Sequence, residues 1–186
     1  MSASLQDSSR VRIHAQVAIV VALATVFDLF SKSVPLPRLP YGGSISVGML
    51  PIMVLALLRG WKVGGAAGVI YGMVALVREQ HFIHPVQLVL DYPLAFGCIG
   101  LTGITTLNES SRTALLRMRV GAAVLASSSL RFSAHFVSGI IFWAQFAPEG
   151  QPVWLYSLIY NGSYMLVETI LDLVLIQIVL LRIRNL

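Results

Sequence analysis

The stretch VGAAVLASSSLRFSAHFVSGIIFWAQF, residues 120–146, decides the fold class. It is longer than the roughly 20 residues that a helix needs to cross a bilayer. Its only ionisable side chains are Arg131 and His135. The stretch is therefore typical of a transmembrane helix.

The composition extends this interpretation to the whole chain. Charged residues make up 11% of the sequence and hydrophobic residues 56%, whereas roughly 25% of the residues of an average globular protein are charged. We expect an all-α integral membrane protein with a single membrane domain, residues 1–186, and six transmembrane helices at about 13–30, 46–58, 63–77, 86–107, 120–146 and 153–183. The second and third segments are short, so we expect them to tilt or to pack within the protein. The GGAAG stretch, residues 64–68, predicts close helix packing.

Several other classes of protein are disfavoured. The net charge of +5 comes from basic residues scattered singly between apolar runs, which does not predict a nucleic-acid surface. Cys98 is the single cysteine, so neither a disulfide framework nor a zinc site is expected. The first apolar segment is too long for the core of a signal peptide, and we expect it to be a retained helix.

Basic residues predict the orientation, because Lys and Arg are retained on the cytoplasmic side of a membrane. With the N-terminus inside, nine lie on the inner side, namely Arg10, Arg12, Arg59, Lys62, Arg112, Arg117, Arg119, Arg182 and Arg184. Three lie outside, namely Lys32, Arg38 and Arg78. Both termini are therefore expected in the cytoplasm. The proline-rich loop, residues 31–45, then faces outward and could cover a cavity as a lid.

Ionisable side chains inside the membrane cost about 2.5 to 3.5 kcal/mol each, so each needs a partner or a purpose. We expect Arg131 to neutralise Glu168 or Asp172. Asp91 is followed at once by Tyr92 and by a proline, which frees a backbone carbonyl. Asp28 lies near the outer end of the first segment.

Two stripes of polar and aromatic residues lie on the last two segments. Residues four apart share a helical face, which groups His135, Gly139 and Trp143. The sixth segment carries Tyr156, Tyr160 and Tyr164, with Asn161 beside them. The alternative is that the aromatic residues anchor the helices at the membrane interface. Together with a carboxylate, the two stripes suit a flat organic cation.

The sequence has no motif of a self-sufficient enzyme or pump. There is no GxxxxGK[ST] for ATP, no GxSxG and no HExxH. Six short spans without inverted halves also fit a secondary transporter poorly. The pattern favours a binding subunit that needs an energised partner.

Four motifs resemble the thiamine-specific substrate-binding (S) components of energy-coupling factor (ECF) transporters. They are GGSISVGMLPI, HPVQLVLDY, AHFVSGIIFWAQFAPEG and PVWLYSLIYNGSYM, and the similarity runs from the first helix to the last. The resemblance implies the S-component fold, an outward site capped by the loop after the first helix, and residence in a bacterial cytoplasmic membrane. It implies thiamine as the ligand, with no cofactor and no metal.

The resemblance also implies residues for the site and for partners. The ligand-binding positions of the family match Asp91, Tyr92, His135, Gly139, Trp143, Tyr156 and Asn161. The resemblance also assigns Ser46 and Tyr71 to the ligand site, where some members carry a glutamate and a tryptophan, and some members carry a glutamate in place of Asp91. An AxxxA motif that docks the coupling subunits matches Ala18 and Ala22, and internal packing is the alternative for these two. The implied partners are a transmembrane coupling protein and two ATPases.

Three other functions remain open at this stage. The changes at Asp91 and Ser46 could redirect the site to a precursor of thiamine such as hydroxymethylpyrimidine. A small intramembrane enzyme could use His135 with Asp91 or Glu168 as acid and base, although nothing positions a nucleophile or a metal. A purely structural membrane subunit is the third alternative.

Overall fold

The computed structural model describes residues 2–34, 39–40, 43–79, 83–107 and 114–183. The six expected helices are present: α1 Ser2–Ser33, α2 Met49–Arg59, α3 Trp61–Glu79, α4 Pro85–Ile104, α5 Ala114–Phe142 and α6 Val153–Ile183. Of these, α1, α4, α5 and α6 are long and apolar enough to cross a membrane. Parts of the expected lid, with Arg38, and the basic residues Arg112 and Arg184 lie outside the described residues.

The first helix has one buried stripe and one apolar outer face. Val17, Val21 and Ala24 are buried at spacings of three and four residues, which is the period of one helical face. On the opposite face Ile19 and Val26 are more than half exposed. An apolar face that is exposed along a span of this length is suited to lipid.

The short helix α2 packs inside the bundle, as expected for a segment that is too short to span alone. Six of its 11 residues are buried, among them Ile52, Met53 and Ala56, which are fully covered. It contacts α1, α3 and the C-terminal part of α4. Its position therefore depends on apolar contacts with its neighbours, each worth about 1.5 to 3 kcal/mol for a fully buried side chain.

Glycines let α3 lie directly against α4. A Cβ on Gly68 would come within 2.2 Å of the carbonyl oxygen of Phe96, and one on Gly72 within 2.7 Å of that of Tyr92. No side chain fits at these separations, so the two backbones touch at these two points. The close packing predicted from the GGAAG stretch is confirmed, and it fixes the part of α4 that carries Asp91.

The fourth helix, expected at about 86–107, is not regular. It is α-helical at Pro85–Val89, widens into a π-helix at Leu90–Leu94, and tightens into a 3-10 helix at Gly100–Ile104. Pro93 lies inside the π-helix, and it has no N–H with which to continue the α-helical ladder. Asp91 and Tyr92 thus project from a widened turn.

Two helix boundaries differ from the expected ones for local reasons. The second helix begins at Met49, because the N–H of Gly48 donates to the Ser46 hydroxyl (3.0 Å) and forms a turn instead. The fifth ends at Phe142, and Trp143 leaves the helical conformation at φ −109°, ψ 10°. A short 3-10 helix, Ala144–Phe146, follows before Pro148. Ser46 and Trp143 therefore stand just outside the helices that were expected to hold them.

Candidate functional site

A single cavity collects the residues that the sequence singled out. Counted with its open mouth, it encloses about 890 Å³. All nine expected ligand-binding residues line it: Ser46, Tyr71, Asp91, Tyr92, His135, Gly139, Trp143, Tyr156 and Asn161. Ala18 and Ala22 do not line it and are exposed on α1.

Asp91 is the centre of a cluster of neutral or conditionally charged donors. Its Oδ2 accepts a hydrogen bond from the Gln87 Nε2 at 2.6 Å and a longer one from the Trp143 indole Nε1 at 3.4 Å. Its Oδ1 lies 3.2 Å from the Nδ1 of His135, whose ring carries a charge only when protonated. The carboxylate and the indole thus meet at the cavity wall.

Gly139 lies at a close approach of α5 and α6. A Cβ at this position would be 2.1 Å from the Ser157 hydroxyl oxygen and 3.3 Å from the Asn161 amide nitrogen. The Ser157 hydroxyl donates to the carbonyl of Phe136 (2.9 Å), and Asn161 Nδ2 donates to Ser157 Oγ (3.2 Å). Tyr164 donates its hydroxyl to Asn161 Oδ1 at 3.2 Å. The missing side chain of Gly139 makes room for this polar wall.

A buried ion pair forms another part of the wall. Arg131 Nη1 lies 2.7 Å from Glu168 Oε2, and both side chains are less than a tenth exposed. Glu168 Oε1 accepts the backbone N–H of Ser46 at 2.8 Å, so the pair also holds the segment before α2. The Arg131 guanidinium lies 5.0 Å from the ring centroid of Phe96. The pairing of Arg131 with Glu168 that was expected from the sequence is confirmed.

The described part of the loop after α1 is attached to α6. The backbone N–H of Gly43 donates to the Tyr160 hydroxyl oxygen at 3.1 Å, and the Tyr160 hydroxyl donates to the carbonyl of Pro40. Gly43 and Ser44 both line the cavity. A tyrosine of the expected aromatic stripe therefore binds the loop rather than the membrane interface.

Among the described residues, the carboxylates that line the cavity differ in their basic partners. Asp28 contacts Arg78 and lies 3.1 Å from Lys32, which also contacts Glu79. Glu168 contacts Arg131. Among the carboxylates of the described residues that line the cavity, Asp91 is the one without a Lys or Arg within 4 Å. A cationic ligand placed there would supply the missing charge.

Sequence reasoning missed one residue that contacts Asp91 directly. Gln87 is 1% exposed, lines the cavity and donates to the carboxylate. Its spacing of four residues before Asp91 in HPVQLVLDYP was a usable signal, because such residues share a helical face. Phe96 was also missed. It lines the cavity and packs edge-on against Tyr71, with centroids 5.0 Å apart.

Comparison with known proteins identifies the family. A model of the thiamine transporter protein family (Thia_YuaJ) matches residues 14–186. The chain belongs to this thiamine transporter family. It is 39% identical over 156 residues to the thiamine transporter ThiT of Bacillus subtilis (strain 168), across 81% of this chain and 80% of that protein. It is 28% identical over 185 residues to ThiT of Lacticaseibacillus paracasei, across 95% and 90%.

The fold is also that of a solved member of the thiamine transporter family. ThiT from Listeria monocytogenes superposes with a TM-score of 0.78 at 28% identity, over 92% of this chain and 94% of that chain. The family resemblance drawn from the four motifs is confirmed. Together with the apolar helices, these matches identify a multi-pass bacterial membrane protein.

Proposed function

We propose that this chain is the high-affinity thiamine-binding subunit of an ECF-type ABC importer. It captures thiamine outside the cell and delivers it to the cytoplasm together with ATP-hydrolysing partners. The observation that carries the proposal is the carboxylate of Asp91, which has no Lys or Arg within 4 Å among the described residues and lies beside the indole of Trp143 at the cavity. The names of the relatives, which are thiamine transporters, support the choice of ligand.

The chemistry of the cavity suits the two rings of thiamine. A cationic thiazolium ring against an indole gains about 2 kcal/mol when water is excluded, and the Asp91 carboxylate offsets the charge that the ligand brings. Asn161 and the tyrosines provide amide and hydroxyl groups for the aminopyrimidine ring. A neutral, non-aromatic solute would gain neither the stacking nor the charge interaction.

The loop after α1 acts as the outward lid in this proposal. Its attachment to Tyr160 and its two cavity-lining residues support that role. The excess of Lys and Arg in the inner loops places both termini in the cytoplasm. The four helices long enough to cross a membrane agree with this orientation, because an even number of crossings leaves both ends on one side.

The partners in this proposal are a transmembrane coupling protein and two ATPases, which dock on α1. Ala18 and Ala22 are exposed one turn apart on this helix, and small residues let another helix approach closely. Their exposure argues against packing within the bundle. Replacing both with leucine should leave thiamine binding by the isolated subunit unchanged and abolish ATP-dependent uptake by the assembled transporter. Normal uptake by this variant would remove the docking proposal.

Titration calorimetry of thiamine on the purified subunit tests the binding proposal. Asp91→Asn should weaken thiamine binding by more than tenfold, or about 1.4 kcal/mol. Glu149→Gln is the matched control, because it removes a carboxylate from an exposed turn away from the cavity. Unchanged affinity in Asp91→Asn would count against the site.

Competition separates thiamine from its precursor. Hydroxymethylpyrimidine has no cationic ring, so we expect it to displace thiamine only at much higher concentration. Tighter binding of the pyrimidine than of thiamine would reassign the subunit to precursor uptake. Thiamine phosphates belong in the same series, because the sequence motifs do not distinguish them from thiamine.

A further inference from the structure

Gln87 occupies a position that leaves its side chain little freedom. It lies two residues after Pro85 on the first turn of α4 and is 1% exposed. A buried amide needs hydrogen-bond partners, because an unmet one costs about 1 to 3 kcal/mol. The oxygen of the Gln87 amide has a partner in the backbone, and the nitrogen of the amide has a partner at the site.

The backbone partner fixes which way the amide faces. Gln87 Oε1 accepts the backbone N–H of Ile83 at 3.1 Å. A backbone N–H can only donate, so the oxygen of the amide must face it and the NH₂ group must face the other way. That NH₂ group lies 2.6 Å from Asp91 Oδ2. The helix N-terminus therefore orients the donor that Asp91 receives.

This donor acts on the oxygen of Asp91 that also meets Trp143. The Trp143 indole N–H reaches the same Oδ2 at 3.4 Å, while Oδ1 faces His135 at 3.2 Å. The shorter bond from Gln87 is the tighter constraint on the direction of the carboxylate. Asp91 also stands on the widened π-helical turn, so the regular helix does not set its direction.

We propose that Gln87 is a positioning residue that sets the preference of the site for a cationic ligand by holding Asp91 toward the cavity beside Trp143. This inference rests on the proposed function. Without the amide donor the carboxylate turns to other partners, and its distance from a bound cation changes. The attraction between charges depends on that distance, whereas stacking on the indole does not require Asp91. We therefore expect the loss of affinity to be larger for a charged ligand than for a neutral one.

The test compares thiamine with deazathiamine, its neutral isostere in which a carbon replaces the cationic nitrogen. Gln87→Met keeps the length of the side chain and removes the donor. Its dissociation constant for thiamine should rise about tenfold, or about 1.4 kcal/mol, and that for deazathiamine less than about threefold. Gln177→Met is the control, because Gln177 also makes two hydrogen bonds, with Arg117 on α5, and does not line the cavity. Both affinities should be unchanged in the control.

Fluorescence gives a second readout that a purely structural role would not change. Replacing Trp61 and Trp154 with phenylalanine leaves Trp143 as the only tryptophan of the chain. In this background Gln87→Met should move the emission maximum of the unliganded protein, because the indole shares its acceptor with Gln87. Should Gln87→Met fold poorly, Gln87→Asn, which is one methylene shorter, should give the same selective loss.

The outcomes separate this inference from the proposed function. Equal losses for both ligands, or no loss, with unchanged Trp143 emission would overturn the positioning role while thiamine binding by the unmodified protein stands. Absence of thiamine binding by the unmodified protein would instead overturn the proposed function. A selective loss for thiamine supports both.

Discussion

Two carboxylates that line the cavity, Glu168 and Asp91, have different electrostatic surroundings. Glu168 is paired with Arg131 at 2.7 Å and also accepts the N–H of Ser46. Asp91 is surrounded by Gln87, Trp143 and His135, none of which carries a permanent positive charge. The first group contains a permanent positive charge, and the second contains no Lys or Arg.

The difference separates a structural role from a binding role. A balanced ion pair joins α5, α6 and the segment before α2, and a ligand adds nothing to its charge. Asp91 is oriented by donors that carry no permanent positive charge, and a carboxylate without a basic partner is costly in a membrane unless a cation arrives. We therefore assign Glu168 to the fold and Asp91 to the ligand.

The largest expected effect comes from breaking the balanced pair. Arg131→Met leaves Glu168 buried without its partner, which costs about 3 to 5 kcal/mol. Replacing both members, Arg131→Met with Glu168→Met, should recover most of this loss, since apolar side chains of similar volume substitute well for a buried pair. Denaturant unfolding in detergent measures both variants. An Arg131→Met protein as stable as the parent would contradict the structural role.

The next effect concerns Gly139 and the polar wall for which its missing side chain makes room. Gly139→Ala places a methyl group 2.1 Å from the Ser157 hydroxyl oxygen, and overpacking of this kind costs about 1 to 3 kcal/mol. Gly162→Ala on α6 is the matched control, because nothing lies within 4 Å of its Cβ position. The midpoint temperature of thermal unfolding should fall for Gly139→Ala and should stay the same or rise for Gly162→Ala. Equal behaviour of the two would mean that α5 and α6 separate easily here.

The third effect tests whether Trp143, which lies beside Asp91, contributes to ligand binding. Trp143→Ala removes the aromatic face and should weaken thiamine binding by about 2 kcal/mol, with little change in stability because the residue stands outside the helix. Trp154→Ala is the control, since Trp154 is 53% exposed and does not line the cavity. Calorimetry that finds the same affinity for both variants would remove Trp143 from the site.

Much of the fold could be predicted because it depends on composition and period. Six apolar segments, a stripe of small residues on α3 and a four-residue repeat on α5 each have one dominant physical cause. The residues expected at the site lie around one cavity for the same reason, because four-residue spacing groups them on helix faces. The partner of Arg131 could also be predicted, because the membrane segments contain few carboxylates.

What the sequence did not predict depends on contacts between distant segments. The proline after Asp91 was noted in the sequence, but the π-helical form of this turn and its backbone contact with Gly72 were not expected. The role of Gln87 depends on the N–H of Ile83 at the start of its helix. Neither can be found from local period alone, and both determine the direction of the Asp91 carboxylate.

The most direct test of the account is the dependence of binding on the charge of the ligand. The unmodified subunit should bind thiamine at least about tenfold more tightly than deazathiamine, a difference of about 1.4 kcal/mol. In Asp91→Asn that preference should fall to about twofold or less, because the charge that selects the cation is gone. A variant that keeps the full preference for thiamine would contradict the assignment of Asp91 as the residue that binds the cation.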